Sequence, residues 1–165
     1  MTTTDLHPDF KEFLRCLNAR RVRYVVVGAH ALAVLGVPRF TRDLDVLVEA
    51  TQSNAKRVSA ALLEFGFPEL ANAVVTHLAS PERMVTLGRE PLRIDVLSSI
   101  AAVSFEAAWR GRMRVRVDGL MVPFLGLTEM RRVKRAVGRP KDRADLALLD
   151  EVAPKRRGGQ RKTRT

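Results

Sequence analysis

Asp43 and Asp45 stand two residues apart in the run Asp43-Leu44-Asp45-Val46-Leu47-Val48. The run reads as a strand over 43–49. Alternate side chains of a strand leave the same face, about 6.7 Å apart along the backbone. Two carboxylates so placed repel each other, and a cation between them relieves the repulsion. Hard oxygen ligands suit magnesium, which takes one or two carboxylates and fills its remaining positions with water and substrate phosphates. A third acid, Asp95, sits inside a second apolar run, Leu92-Arg93-Ile94-Asp95-Val96-Leu97. If that run pairs beside the first, three carboxylates reach the same one or two ions, which activate a hydroxyl and hold a leaving pyrophosphate. Asp95 is then the natural general base. A lone Asp-x-Asp is more often a solvated strand face. The third acid weighs against that here, and so does Gly28, which ends one buried run and opens a helix where backbone N–H groups bind phosphate.

The elements that must hold these residues follow from periodicity. Phe10, Phe13, Leu14 and Leu17 recur at helical spacing, predicting a helix over 8–20. Residues 22–27 are β-branched and aromatic, a buried strand closed by Gly28. A short helix over 29–35 ends at Gly36 and Pro38. Thr51 caps a helix whose inner face is Ala55, Val58, Leu62 and Phe65. Residues 69–81 fit neither period. Strands over 84–87 and 92–97 form a hairpin, and 104–110 a short helix. Asp118-Gly119 joins strands over 112–117 and 120–124 and is the strongest hairpin signal in the chain. Helices over 128–137 and 140–152 flank Gly138, with Pro140 in a permitted first-turn position. The expected fold is α+β: a small mixed β-sheet with flanking helices.

Here the motifs resemble a known family. Val27-Gly28-Ala29, a gap of thirteen residues, then Asp43-Leu44-Asp45-Val46 is similar to the signature of the nucleotidyltransferase superfamily that includes DNA polymerase beta. Ile94-Asp95-Val96 matches its third carboxylate. Within it, Pro38-Arg39-Phe40-Thr41-Arg42-Asp43-Leu44-Asp45 resembles the small prokaryotic branch near the AbiEii-type abortive-infection toxins. Lys134…Gly138-Arg139-Pro140-Lys141-Asp142…Asp145-Leu146 is similar to that branch's later motif. The resemblance covers residues 20–150. It implies a nucleotidyltransferase fold and transfer of a nucleotide from a nucleoside triphosphate, with Asp43, Asp45 and Asp95 as catalytic ligands of one or two magnesium ions. It adds Lys134 to the catalytic set, and gives Gly28, Ala29, Arg39, Thr41, Lys141 and Asp142 to the nucleotide. Ala29 departs from the pattern, since the superfamily usually has Gly or Ser there, and Ala offers no hydroxyl to the triphosphate. The acceptor implied is RNA such as tRNA, in a toxin–antitoxin setting. A partner protein modified on a hydroxyl is the alternative, as is a weakly catalytic binder of nucleotide or nucleic acid. Drug modification ranks last, because a cationic drug needs an acidic pocket and this chain is basic.

Several of these residues also have plainer roles open to them. Arg39 and Thr41 either hold phosphate or shape the loop. Lys134 lies on a helix whose buried face is expected to be Met130, Val133 and Val137, and it is otherwise one solvated base among many. Asp142 and Asp145 suit a helix first turn on dipole grounds alone. Arg112, Arg114 and Arg116 share one strand face, a basic strip suited to a phosphate backbone or simply an exposed sheet face. His30 and His77 read as structural.

The bulk numbers set the frame. The chain has 165 residues, 46% apolar and 28% charged, enough for one compact domain with a core. One cysteine, Cys16, excludes a disulfide framework. No apolar run approaches the roughly 20 residues of a bilayer span, and no signal-peptide pattern opens the chain, so a cytoplasmic protein is expected. Net charge is +11, and residues 154–165 carry six bases and no acid. The domain is therefore placed at 1–153, followed by a disordered basic tail at 154–165 with an affinity for polyanions.

Overall fold

The computed structural model describes residues 5–153 and contains seven helices and six strands among them. The expected tail at 154–165 lies outside the described residues. The first helix, α1 (Pro8–Ala19), begins with proline at a first-turn position, and the His7 ring accepts the Asp9 backbone N–H at 3.1 Å. Its inner face is Phe10, Phe13, Leu14 and Leu17, as the spacing predicts. Strand β1 (Tyr24–Val27) is shorter than the expected 22–27. Arg21 adopts a left-handed φ of 55°, and the Val22 N–H still bonds back to Leu17, so extended pairing starts only at Tyr24.

Helix α2 (Gly28–Val34) leads through a loop to β2 (Asp43–Val48). Helix α3 (Gln52–Phe65) is capped by Thr51, whose hydroxyl accepts the Asn54 N–H at 3.2 Å. Gly66 ends it in the left-handed region. The stretch left open by its mixed pattern contains α4 (Pro68–His77), which buries Ala71 and Val74. Strands β3 (Met84–Arg89) and β4 (Leu92–Leu97) form the expected hairpin, and α5 (Phe105–Arg110) is capped by Ser104. Strands β5 (Met113–Val117) and β6 (Leu120–Phe124) turn through Asp118 and Gly119, both at positive φ. Helices α6 (Leu127–Val137) and α7 (Pro140–Val152) complete the chain.

The six strands form one mixed sheet in the order β3-β4-β2-β1-β6-β5. β2 runs antiparallel to β1 and parallel to β4, and β1 runs parallel to β6. Register fixes the two faces, because cross-strand neighbours point the same way. Tyr24, Val26 and Phe124 share one face, where the Tyr24 hydroxyl donates to Asn18 of α1 at 2.8 Å. Val27, Asp45 and Asp95 share the other. The strand alternation expected of Asp43 and Asp45 is therefore present, and the β4 acid joins them.

Helix α6 departs from its expected orientation. Met130 is buried, but Val137 is 42% exposed and Lys134 only 7% exposed. The helix turns its base inward because α7 presents two buried carboxylates there, which need a cation more than a valine needs cover.

Candidate active site

The register places Asp45 directly opposite Asp95 and Asp43 opposite Arg93. The Arg93 guanidinium then reaches both outer acids: one nitrogen lies 3.3 Å from Asp43 Oδ2 and 3.2 Å from Asp95 Oδ2. Those two oxygens share one nitrogen, so they are no farther apart than two hydrogen-bond lengths. Asp95 is further fixed by Thr86, whose hydroxyl donates to Oδ1 at 2.8 Å from the hairpin partner strand. Asp43, Asp45 and Asp95 thus occupy one patch on two parallel strands, at the start of β2 and the middle of β4.

Gly28 presses against this patch. It sits at φ +67°, and a Cβ there would lie 2.3 Å from Asp45 Oδ2. Two independent facts therefore demand glycine: the left-handed backbone and the close approach of a carboxylate. The loop before β2 is shaped by Thr41, whose hydroxyl accepts the Asp43 N–H at 3.1 Å.

Asp45 carries the electrostatic strain of the group. Burial pushes its carboxyl up, and the neighbouring Asp95 and Asp43 charges push it further, to about 6. Arg93 and Lys141 oppose the rise without cancelling it. A hard cation would relieve both repulsions and compensate the burial of the charge. Carboxylate oxygens on one face, with glycine leaving room beside them, fit magnesium chemically. Among the described residues no group of three or more acidic, histidine or cysteine side chains is already arranged to hold a metal ion. Arg93 supplies the countercharge to Asp43 and Asp95 instead.

The patch opens into a cavity of about 470 Å³. Gly28, Ala29, Asp43 and Asp45 line one side, and Lys134, Arg139, Lys141 and Asp145 line the other. Arg39, Phe40 and Thr41 also border it, with Phe40 88% exposed. All the residues assigned to nucleotide or catalysis border this space except Asp95 and Asp142, which stand behind it.

The far wall is an ion network between α6, α7 and the loop. Lys134 Nζ lies 3.1 Å from Asp142 Oδ1 and 3.0 Å from Asp145 Oδ2. Arg139 closes on Asp142 Oδ2 at 2.8 Å, and Arg39 Nε donates to Asp145 Oδ1 at 2.9 Å. The bond to the Arg139 guanidinium holds the Asp142 carboxyl far below the usual carboxylate range, and Lys134 adds to it. Burial alone would raise Asp145, but Arg39 and Lys134 outweigh it and lower it. Lys134 is thus no solvated base, and Arg39 holds a carboxylate rather than lying free on the surface. Asp142 also caps α7 by accepting the Arg139 N–H at 3.1 Å.

Sequence reasoning missed Arg93, Thr86 and Asp145 as parts of this arrangement. Arg93 was visible in principle, two residues before Asp95 and so on the same strand face. Thr86 becomes legible once the β3–β4 register is known. Asp145 lies three residues after Asp142, a spacing that puts both on one helix face.

No family model matches the chain, and no characterised protein matches it in sequence. A solved structure from Thermotoga maritima, provisionally assigned as a nucleotidyltransferase, superposes with a TM-score of 0.53 at 17% identity. The match covers 89% of this chain and 96% of that one. The chain has a nucleotidyltransferase-type fold, with a mixed sheet and helices on its faces. No helix among the described residues is long and apolar enough to cross a membrane.

Proposed function

We propose that this protein is a magnesium-dependent nucleotidyltransferase that moves a nucleotide from a nucleoside triphosphate to a hydroxyl of RNA, with a tRNA end as the preferred acceptor. The observation that carries this reading is the meeting of Asp43, Asp45 and Asp95 on one sheet face, with Asp43 and Asp45 lining a cavity walled by bases. Magnesium held by those carboxylates would screen the phosphates and favour departure of pyrophosphate. The chain's own residues supply the rest. Lys141, Arg139 and the backbone at Gly28 and Ala29 line the space for the triphosphate. Asp95, kept in place by Thr86 and Arg93, accepts the proton of the acceptor hydroxyl. That oxygen bonds to the α-phosphorus, the α–β phosphoanhydride bond breaks, and pyrophosphate leaves with the electron pair. Lys134, locked between Asp142 and Asp145, contributes positive charge to the wall without being free to swing.

An RNA acceptor is favoured by the net charge of +11 and by the six bases of residues 154–165. The motif resemblance to abortive-infection toxins adds a toxin–antitoxin setting with a protein partner. The test is incubation with each labelled nucleoside triphosphate, magnesium and either total RNA or cell lysate. Label on RNA, lost at least a hundredfold in Asp45→Asn, supports the reading. Label on a protein would move the acceptor to a partner chain, and no transfer to either would refute the reading.

A further inference from the structure

At the other end of β1, two arginines lie against one aromatic ring and two more line the cleft beside it. Arg112 lies over Trp109, its guanidinium carbon 3.8 Å from the ring centroid, and it also donates to the Trp109 carbonyl. Arg23 approaches the same ring at 4.9 Å. With Arg21, Arg114 and Asn18 these groups line a cleft of about 440 Å³. The charges are unequally met. Arg23 pairs with Glu49 at 2.7 Å and Glu106 at 3.5 Å. Arg21, Arg112 and Arg114 have no acidic partner among the described residues. Three arginines without countercharge in a concave site are an unsatisfied electrostatic arrangement.

We propose that this cleft is a second anion site, which takes phosphate groups on Arg112, Arg114 and Arg21. The guanidinium forks of Arg112 and Arg114 suit phosphate oxygens, and the Trp109 ring and carbonyl together hold Arg112 in place. Burial lowers the Arg112 pKa, and the Arg114 and Arg23 charges lower it further, the strain an anion would remove. The site is distinct from the carboxylates. Asp45 pairs with Val27, whereas the cleft borders Val22 and Tyr24, three strand residues or about 10 Å away along β1. Arg114 pairs with Pro123 on the same sheet face as Asp45, so the two sites are separated along the strands and not by the sheet. A phosphodiester strand or a free polyphosphate would satisfy the same forks. Neither source depends on the transfer reaction proposed above.

The chain has a single tryptophan, so its emission reports this cleft alone. Tripolyphosphate and a ten-nucleotide RNA are each titrated into the full chain in chelator, read by Trp109 emission and by calorimetry. A saturable emission change is expected with at least one ligand. Affinity should fall at least tenfold in the Arg112→Gln/Arg114→Gln double variant and at least threefold in Arg114→Gln alone, an exposed position. Arg116→Gln, outside the cleft, and Asp43→Asn/Asp45→Asn should change it less than twofold. RNA binding ten times tighter than tripolyphosphate identifies a strand as the source, and the reverse order identifies a free polyphosphate. No saturable emission change with either ligand would overturn the proposal. So would calorimetric binding that ignores the arginine variants or that vanishes in the aspartate variant.

Discussion

Asp45→Asn is expected to stabilise the metal-free protein near neutral pH while abolishing the transfer proposed above. The Asp45 carboxyl rises from 3.8 to about 6 because burial and its two acidic neighbours penalise its charge. A carboxyl raised in the folded state favours folding only while it is protonated. That contribution is full below the unfolded value and is lost as pH rises through the folded one. Above about pH 6 the native protein therefore holds a charge that the unfolded chain would carry more easily. Two pH units of difference set a ceiling of about 3 kcal/mol, and partial exposure of the side chain reduces this to about 1–2 kcal/mol. For a chain of this size the variant's Tm should exceed the parent's by about 3–6 °C at pH 7.5. At pH 3.5 the gain should vanish, because the parent carboxyl is then neutral too. Thermal unfolding in chelator across pH 3.5–8 measures this directly. A variant less stable at pH 7.5, or equally stabilised at both ends, would refute the claim that Asp45 is held against its own charge.

Four further outcomes follow from the same geometry. Lys134→Met should destabilise the protein by about 2–4 kcal/mol in urea unfolding, since Asp142 and Asp145 lose a buried partner while keeping Arg139 and Arg39. Thr86→Val should lower kcat several-fold with KM for the triphosphate nearly unchanged, because its hydroxyl touches only Asp95. Phe40→Ala should leave Tm within about 1 °C and weaken nucleotide binding about threefold to tenfold, if the exposed ring stacks on the base at the cavity edge. Deleting residues 154–165 should reduce the slope of log affinity for tRNA against log salt by about two to four, and a flat salt response in the full chain would leave an RNA acceptor without support.

Much of the sheet could be read in advance because its signals are local. Asp118-Gly119 needs only its own positive φ angles to make a turn, and Thr51 and Ser104 cap helices through bonds within three residues. What escaped depends on pairs distant in sequence. Nothing around Gly28 announces that Asp45 will lie against it, since that contact arises from β1–β2 pairing. The burial of Lys134 required the crossing of α6 and α7. A pattern of apolar residues could only suggest Met130, Val133 and Val137 as the inner face, because it gives no weight to a base paired with two hidden acids. Helix α4 was obscured for another reason: its buried contribution is small, with Ala71 and Val74 facing α3, so the apolar stripe is narrow.

Two groups of carboxylates lie on either side of the cavity, and the fold has treated them in opposite ways. Asp142 and Asp145 are the more buried, yet three cations surround them and their ionisation is favoured. They need nothing from outside, and their charge is already spent on joining α6, α7 and the loop before β2. Among the described residues Asp43 and Asp95 have Arg93 as their one cationic contact and Asp45 has none, and this central member resists ionisation. Repulsion of this kind would be reduced by changing any one acid, so its presence is a cost to the free protein that the fold does not require. The cost makes chemical sense if a cation arrives with the substrate, when the same three charges become attractive. The distribution of countercharge, more than the bare number of acids, therefore separates the candidate reaction centre from the structural network on the facing wall.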